Sequence, residues 1–85
     1  MSNLENKFKK ALEDVTKLSE KPDNNTLLKL YALFKQATAG DVQGEEPSGW
    51  DFVKKAKYDA WAELKGTTKE QAMEKYIELV ERLKM

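Results

Sequence analysis

The chain contains no cysteine and no histidine. Disulfides, a thiolate nucleophile and zinc sites of the usual kind are therefore excluded, and a reducing, cytoplasmic setting is the expectation. Without histidine, Asp59 and Glu63 have no partner to complete an acid–base mechanism and read as helix-surface charges. Breakers are scarce, with two prolines and four glycines in 85 residues. Three of the glycines and one proline fall within "GDVQGEEPSG", residues 40–49, which reads as a loop. It does not have the spacing of a phosphate-cradling P-loop. No apolar run approaches the ~20 residues that span a bilayer, and "MSNLENKFKK" lacks the apolar stretch of a signal peptide; no stable membrane anchor is expected. An excess of either charge is also missing: Lys+Arg and Asp+Glu number 15 each. A general nucleic-acid binder would carry a basic surplus.

Hydrophobic residues make up 40% of the chain and charged residues are intermixed with them, the composition of one small globular domain. Leu4, Phe8, Ala11, Leu12, Val15 and Leu18 recur at helical spacing. Pro22 follows, and "PDNN" supplies turn and cap residues for a second helix. Leu27, Leu30, Tyr31, Phe34 and Ala37 form its stripe, closed by Gly40. Val53, Ala56, Ala60 and Leu64 give a third stripe, with Trp61 alongside and Gly66 at its end. Thr67 to Glu70 matches a capping box, and Ala72, Met73, Tyr76, Ile77, Val80 and Leu83 complete a fourth. No segment alternates with period two. The expectation is all-α, a four-helix bundle, in which the long loop at 40–49 lets helices 2 and 3 run parallel while the short connections favour antiparallel neighbours.

The charge is uneven along the chain. Asp41, Glu45, Glu46 and Asp51 crowd one loop, and Lys54, Lys55 and Lys57 follow it, so a local cationic patch on a neutral protein suggests a small anion. Tyr31 and Lys35 stand four apart on one helical face. Two readings fit that pair: a core tyrosine beside a snorkelling surface lysine, or half of a site for a ligand with a flat ring and a phosphate. Likewise, Lys54, Lys55 and Lys57 fit an ordinary solvated face, and Tyr58 and Trp61 fit packing.

The stretches "YALFKQATAGD" and "WDFVKKAKYDAWAELKGTTKEQAMEKYIELV" closely resemble the acyl-CoA-binding protein family, and the resemblance runs from Phe8 to Leu83 with every loop length kept. It implies residues 1–85 as a single acyl-CoA-binding domain, a four-helix bundle of up-down-down-up topology, and a monomeric carrier and pool former for long-chain fatty acyl-CoA esters. One ester would bind per monomer, without catalysis, without a cofactor and without nucleic acid, and enzymes that produce or use acyl-CoA would be its partners. Residue by residue, the resemblance implies that Tyr31 and Lys35 meet the adenine and ribose-phosphate end, that Lys57 pairs with the 3′-phosphate, and that Tyr76 lies along the CoA head. Ala32, Leu33 and Phe34 belong to the same contact segment, and Ala11 matches a small residue beside which the acyl chain passes. Thr16 occupies the position at which many members carry a helix 1 binding lysine, with Lys17 next to it. Phe34 replaces a frequent tyrosine, and Val53 replaces a polar residue of some members.

The ligand's chemistry fits these residue types independently. Adenine stacks on aromatic faces for roughly 1–3 kcal/mol, by analogy with base stacking, and lysine donates to phosphate as a flexible point charge. Burying a palmitoyl chain is worth at most about 11 kcal/mol, so the chain sets affinity and the head distinguishes a CoA ester from a free fatty acid. The competing class is a protein-interaction bundle that keeps the fold without the ligand, which Thr16 and Phe34 would favour.

Overall fold

The computed structural model describes residues 3–85, and among them four helices and no strand are found: α1 (Asn3–Val15), α2 (Asn24–Ala39), α3 (Phe52–Ala62) and α4 (Lys69–Leu83). The starts of α2, α3 and α4 each rest on a side-chain acceptor of the expected kind. Asp23 accepts from the Thr26 amide at 2.8 Å to open α2, and Asp51 accepts from the Lys54 amide at 3.3 Å to open α3. At α4 the cap is one residue later than the sequence pattern suggests. Thr68 Oγ1 accepts from the Gln71 amide at 3.0 Å, and Gln71 Oε1 accepts from the Thr68 amide at 3.1 Å, a reciprocal capping box. Thr67 is already committed to the preceding turn: its amide donates to the Leu64 carbonyl and its own carbonyl accepts from Gln36.

Side-chain contacts give the direction of every helix. Phe8 meets Tyr76 and Asp14 meets Lys84, so α1 and α4 run together in the same sense. Lys57 stands over Tyr31 and Lys35 over Trp61, so α2 and α3 also run parallel, in register at 26 positions (31 to 57, 35 to 61). Gln36, near the end of α2, reaches Thr67 just before α4, while Tyr76 meets the Leu30–Phe34 part of α2 across a shared cavity. These two helices are therefore antiparallel. The topology is up-down-down-up, as expected. The closely packed helix pairs are α2 with α4, α1 with α4, and α2 with α3, in a body only 15 Å thick across its shortest dimension.

The core gathers Phe8, Ala11, Leu30, Leu33, Ala37, Ala72, Tyr76 and Val80. Because α2 is covered by both α3 and α4, its buried face widens to include Ala32, Leu33 and Gln36, and the edge carrying Tyr31 and Phe34 is left less buried. Val53, expected on the inner stripe of α3, is 66% exposed, since α3 has a single closely packed neighbour and turns its first residues outward.

A polar knot fastens the lower end of α2. Gln36, fully buried, donates through Nε2 to Asp41 Oδ1 at 2.9 Å and to the Thr67 carbonyl at 2.6 Å. The same Asp41 oxygen accepts from the Gly66 amide at 2.9 Å, and Trp61 Nε1 donates to the Gly40 carbonyl at 2.8 Å. Gly40 makes the turn into this knot at φ 86°, a region that favours glycine. Its absent side chain would meet only ordinary contact with Lys69, so the backbone angle, not space, calls for glycine there. The Gly66 amide, first, and then the Gln36 amide hold the Asp41 carboxyl below its ordinary 3.8.

Candidate functional site

Two cavities open on either side of Tyr31. One, of about 460 Å³, is lined by residues from the end of α1 and the following turn, including Val15, Thr16, Leu18 and Lys21, together with Phe34 and Tyr76. The other, of about 380 Å³, lies between α2 and α3, with Leu28, Phe52, Val53, Ala56 and Lys57 in its wall. Leu27 and Tyr31 belong to both. Tyr31 is thus the partition between a mixed chamber that carries Glu20 and Lys21 and a more apolar one with Lys57 in its wall.

The aromatic lining of the first chamber is a packed set. Phe34, 37% exposed, stacks on Phe8 with centroids 6.4 Å apart, and Phe8 meets Tyr76 edge-on at 5.3 Å. Such pairs hold each ring's orientation as well as burying area. Tyr76 is 4% exposed, and burial pushes its hydroxyl above the ordinary 10.0. At neutral pH it keeps its proton and remains a donor. Thr16 lines this chamber while its own Oγ1 donates to the Glu13 carbonyl at 2.7 Å, closing α1.

The lysines of α3 separate into two kinds. Lys55 is held by Glu46 at 2.6 Å and Asp59 at 3.4 Å, and Lys54 leans toward Asp51 at 3.9 Å. Lys57 has no ion pair among the described residues and instead stands 5.2 Å from the centroid of the Tyr31 ring. That is within cation–π range. Lys35 is the same kind, unpaired among the described residues and 5.0 Å from the Trp61 ring. A ring attracts an ammonium without neutralising it, so both charges stay available to an anion.

The structure therefore brings together Tyr31, Phe34, Tyr76 and Thr16 around one chamber, with Lys57 at the other face of Tyr31. Lys35 lines neither chamber and sits one helical turn beyond Tyr31. Ala11, Ala32 and Leu33 are not brought to these chambers. Ala11 is buried against α4 and borders a separate groove with Ile77, while Ala32 and Leu33 border one with Ala60 and Leu64. Sequence reasoning did not single out Leu28, Phe52 or Lys21 as cavity residues. The signal was present for Phe52, an aromatic residue just after a loop and off its helix's inner stripe; Lys21 carried none. Among the described residues no cluster of acidic side chains could hold a metal ion, and no helix is long and apolar enough to cross a membrane.

A family model described as acyl CoA binding protein matches residues 5–80. The chain is similar to the acyl-CoA-binding protein of Dictyostelium discoideum, 47% identical over 76 residues, which is 89% of this chain and 90% of that one. It is as similar to acyl-CoA-binding protein homolog 1 of Caenorhabditis elegans, 47% identical over 89% of this chain and 88% of that one. Among solved structures, Oryza sativa acyl-CoA-binding protein 2 superposes with a TM-score of 0.90 at 36% identity, over 95% of this chain and 90% of that one. The ACBP of Moniliophthora perniciosa does so with a TM-score of 0.87 at 44% identity, over 98% and 80%. With the matched segment running from the first turn of α1 to the last turns of α4, the chain belongs to the acyl-CoA-binding protein family.

Proposed function

We propose that residues 1–85 act as a single acyl-CoA-binding domain that takes up one long-chain fatty acyl-CoA ester and carries it without chemistry. The observation that carries this reading is Tyr31 as a shared wall, with a mainly apolar groove on one side, an aromatic and more polar chamber on the other, and the unpaired Lys57 ammonium over the Tyr31 ring from the groove's wall. A CoA ester has the matching division into an apolar tail and an aromatic, phosphorylated head. The tail takes the α2–α3 groove against Leu27, Leu28, Phe52 and Ala56, where each buried methylene contributes up to about 0.8 kcal/mol. The head takes the chamber of Thr16, Lys21, Phe34 and Tyr76, its adenine on an aromatic face, and its phosphates reach past Tyr31 to Lys57, in the wall of the other cavity, and to Lys35 one turn beyond.

Membership of a family named for acyl-CoA binding supports this reading. The role is that of a monomeric cytoplasmic carrier and pool former, serving enzymes that make or consume acyl-CoA, with no cofactor, no nucleic-acid partner and no catalysis. Calorimetric titration with palmitoyl-CoA, palmitate and free CoA side by side tests it. Palmitoyl-CoA is expected to bind one per chain and far more tightly than either part alone, and equal affinity for palmitate and palmitoyl-CoA overturns the head-group assignment.

A further inference from the structure

Trp61 lines neither chamber, yet its ring is both buried and hydrogen-bonded in place. It is 8% exposed, and its indole N–H donates to the Gly40 carbonyl at 2.8 Å, which pins the ring against the end of α2. Over that ring stands the Lys35 ammonium, 5.0 Å from the centroid and with no ion pair among the described residues. Left to solvent, a lysine side chain samples many rotamers, and ordering it on a ligand costs free energy. A carboxylate would order it but would also neutralise it and compete with an incoming phosphate, as Glu46 and Asp59 do for Lys55. An indole face orders the ammonium and leaves its charge intact.

We propose that Trp61 is a positioning residue for Lys35, an indole platform that holds the ammonium un-neutralised one turn from Tyr31, where it meets a phosphate of the bound ester. This rests on the acyl-CoA reading above. Because Trp61 touches neither chamber, its effect on the ligand passes through Lys35. The parallel register of α2 and α3 makes the device, since it sets Trp61 opposite Lys35 as it sets Lys57 opposite Tyr31.

The test is a double-mutant cycle read by palmitoyl-CoA titration, joined to the NMR shift of the Lys35 ε-methylene protons. In the protein with Lys35, Trp61→Leu is expected to weaken binding roughly 2- to 10-fold, with Trp61→Phe recovering part of the loss. In a Lys35→Met background, Trp61→Leu is expected to change affinity by less than about twofold, the signature of coupled rather than independent sites. The ε-methylene protons are expected upfield in the unmutated protein and near their solvent position in Trp61→Leu. Equal losses in both backgrounds, or unshifted ε-protons in the unmutated protein, overturn the role. Should Trp61→Leu not fold, Trp61→Phe in the two backgrounds and the unmutated protein's shift still decide it. A protein that fails to bind palmitoyl-CoA before any substitution overturns the acyl-CoA reading and this role with it, whereas normal binding with equal losses overturns the role of Trp61 alone.

Discussion

The Lys57 ammonium stands over the ring of Tyr31, 5.2 Å from its centroid. Sequence spacing paired Tyr31 with Lys35 along one helix, but the cation that Tyr31 meets comes from across the α2–α3 seam. Tyr31 is half-buried and bounds both chambers, so its ring stands at the cavities rather than in the core, as the proposed ligand role requires. Tyr31→Ala is expected to cost palmitoyl-CoA binding roughly 1–3 kcal/mol, and less stability than the ~3–5 kcal/mol lost with a fully buried large aromatic. Tyr31→Phe keeps the ring and should keep most of the affinity. Titration and urea unfolding on the same two proteins measure both quantities, and normal binding by the folded Tyr31→Ala protein would remove Tyr31 from the site.

Neighbouring lysines on α3 should behave differently. Lys57→Ala is expected to weaken palmitoyl-CoA binding and flatten its salt dependence, whereas Lys54→Ala, 76% exposed and leaning on Asp51, should do neither. The ester of dephospho-CoA, which lacks the 3′-phosphate, sharpens the comparison. If Lys57 pairs with that phosphate, its substitution matters little for this analogue, and an undiminished loss would place Lys57 against another group.

At the head of α4 the two threonines are separable by stability. Thr68→Ala removes the hydroxyl that accepts from the Gln71 amide and should cost about 0.5–2 kcal/mol. Thr67→Ala leaves intact the backbone groups through which Thr67 acts and should cost far less. Urea denaturation of the two proteins gives the ranking, and the reverse order would restore the cap to Thr67.

The polar knot should make acid stability depend on Asp41. Its folded-state carboxyl lies below the ordinary 3.8, chiefly because the Gly66 amide donates to it. For a depressed carboxyl the stabilisation is present above the unfolded-state value and is lost as pH falls through the lower folded-state value. Asp41→Asn should therefore lower the melting temperature at pH 7, with the gap to the unmutated protein narrowing as the pH falls below 3.8. A constant gap across that window would mean that Asp41 is not the titrating group.

The helices, their order and the parallel run of α2 and α3 were legible in the sequence, because apolar stripes at helical spacing and one long loop leave few other arrangements. The site was legible in part. Tyr31, Phe34 and Tyr76 lie on stripes, but periodicity cannot say which stripe residues border a cavity rather than the core. That depends on how wide a face the neighbours of α2 cover, which is a property of three helices together. Ala32 and Leu33 are buried for the same reason. The partners of Lys35 and Lys57 lie 26 positions along the chain, beyond the reach of any local pattern. Gln36 and Asp41 stood in the recognised stretch, but only the fold shows why a buried amide and a carboxylate are needed there: one donor and one acceptor set close the end of α2 against the turn before α4.

The connection from Gly40 to Asp51 has to return the chain along the length of α2 before α3 can begin. The seam it leads into is held by contacts between the helices and by the Trp61–Gly40 hydrogen bond, to which the loop adds the exposed, weakly stabilising Glu46–Lys55 ion pair. Doubling a flexible loop costs only about 0.6 kcal/mol in closure entropy. The exposed stretch around Glu45 is consequently the natural place for this fold to accept inserted sequence, such as a reporter peptide or a second domain, while the tight turn at Gly66, with its φ of 92° and its amide bound to Asp41, is not.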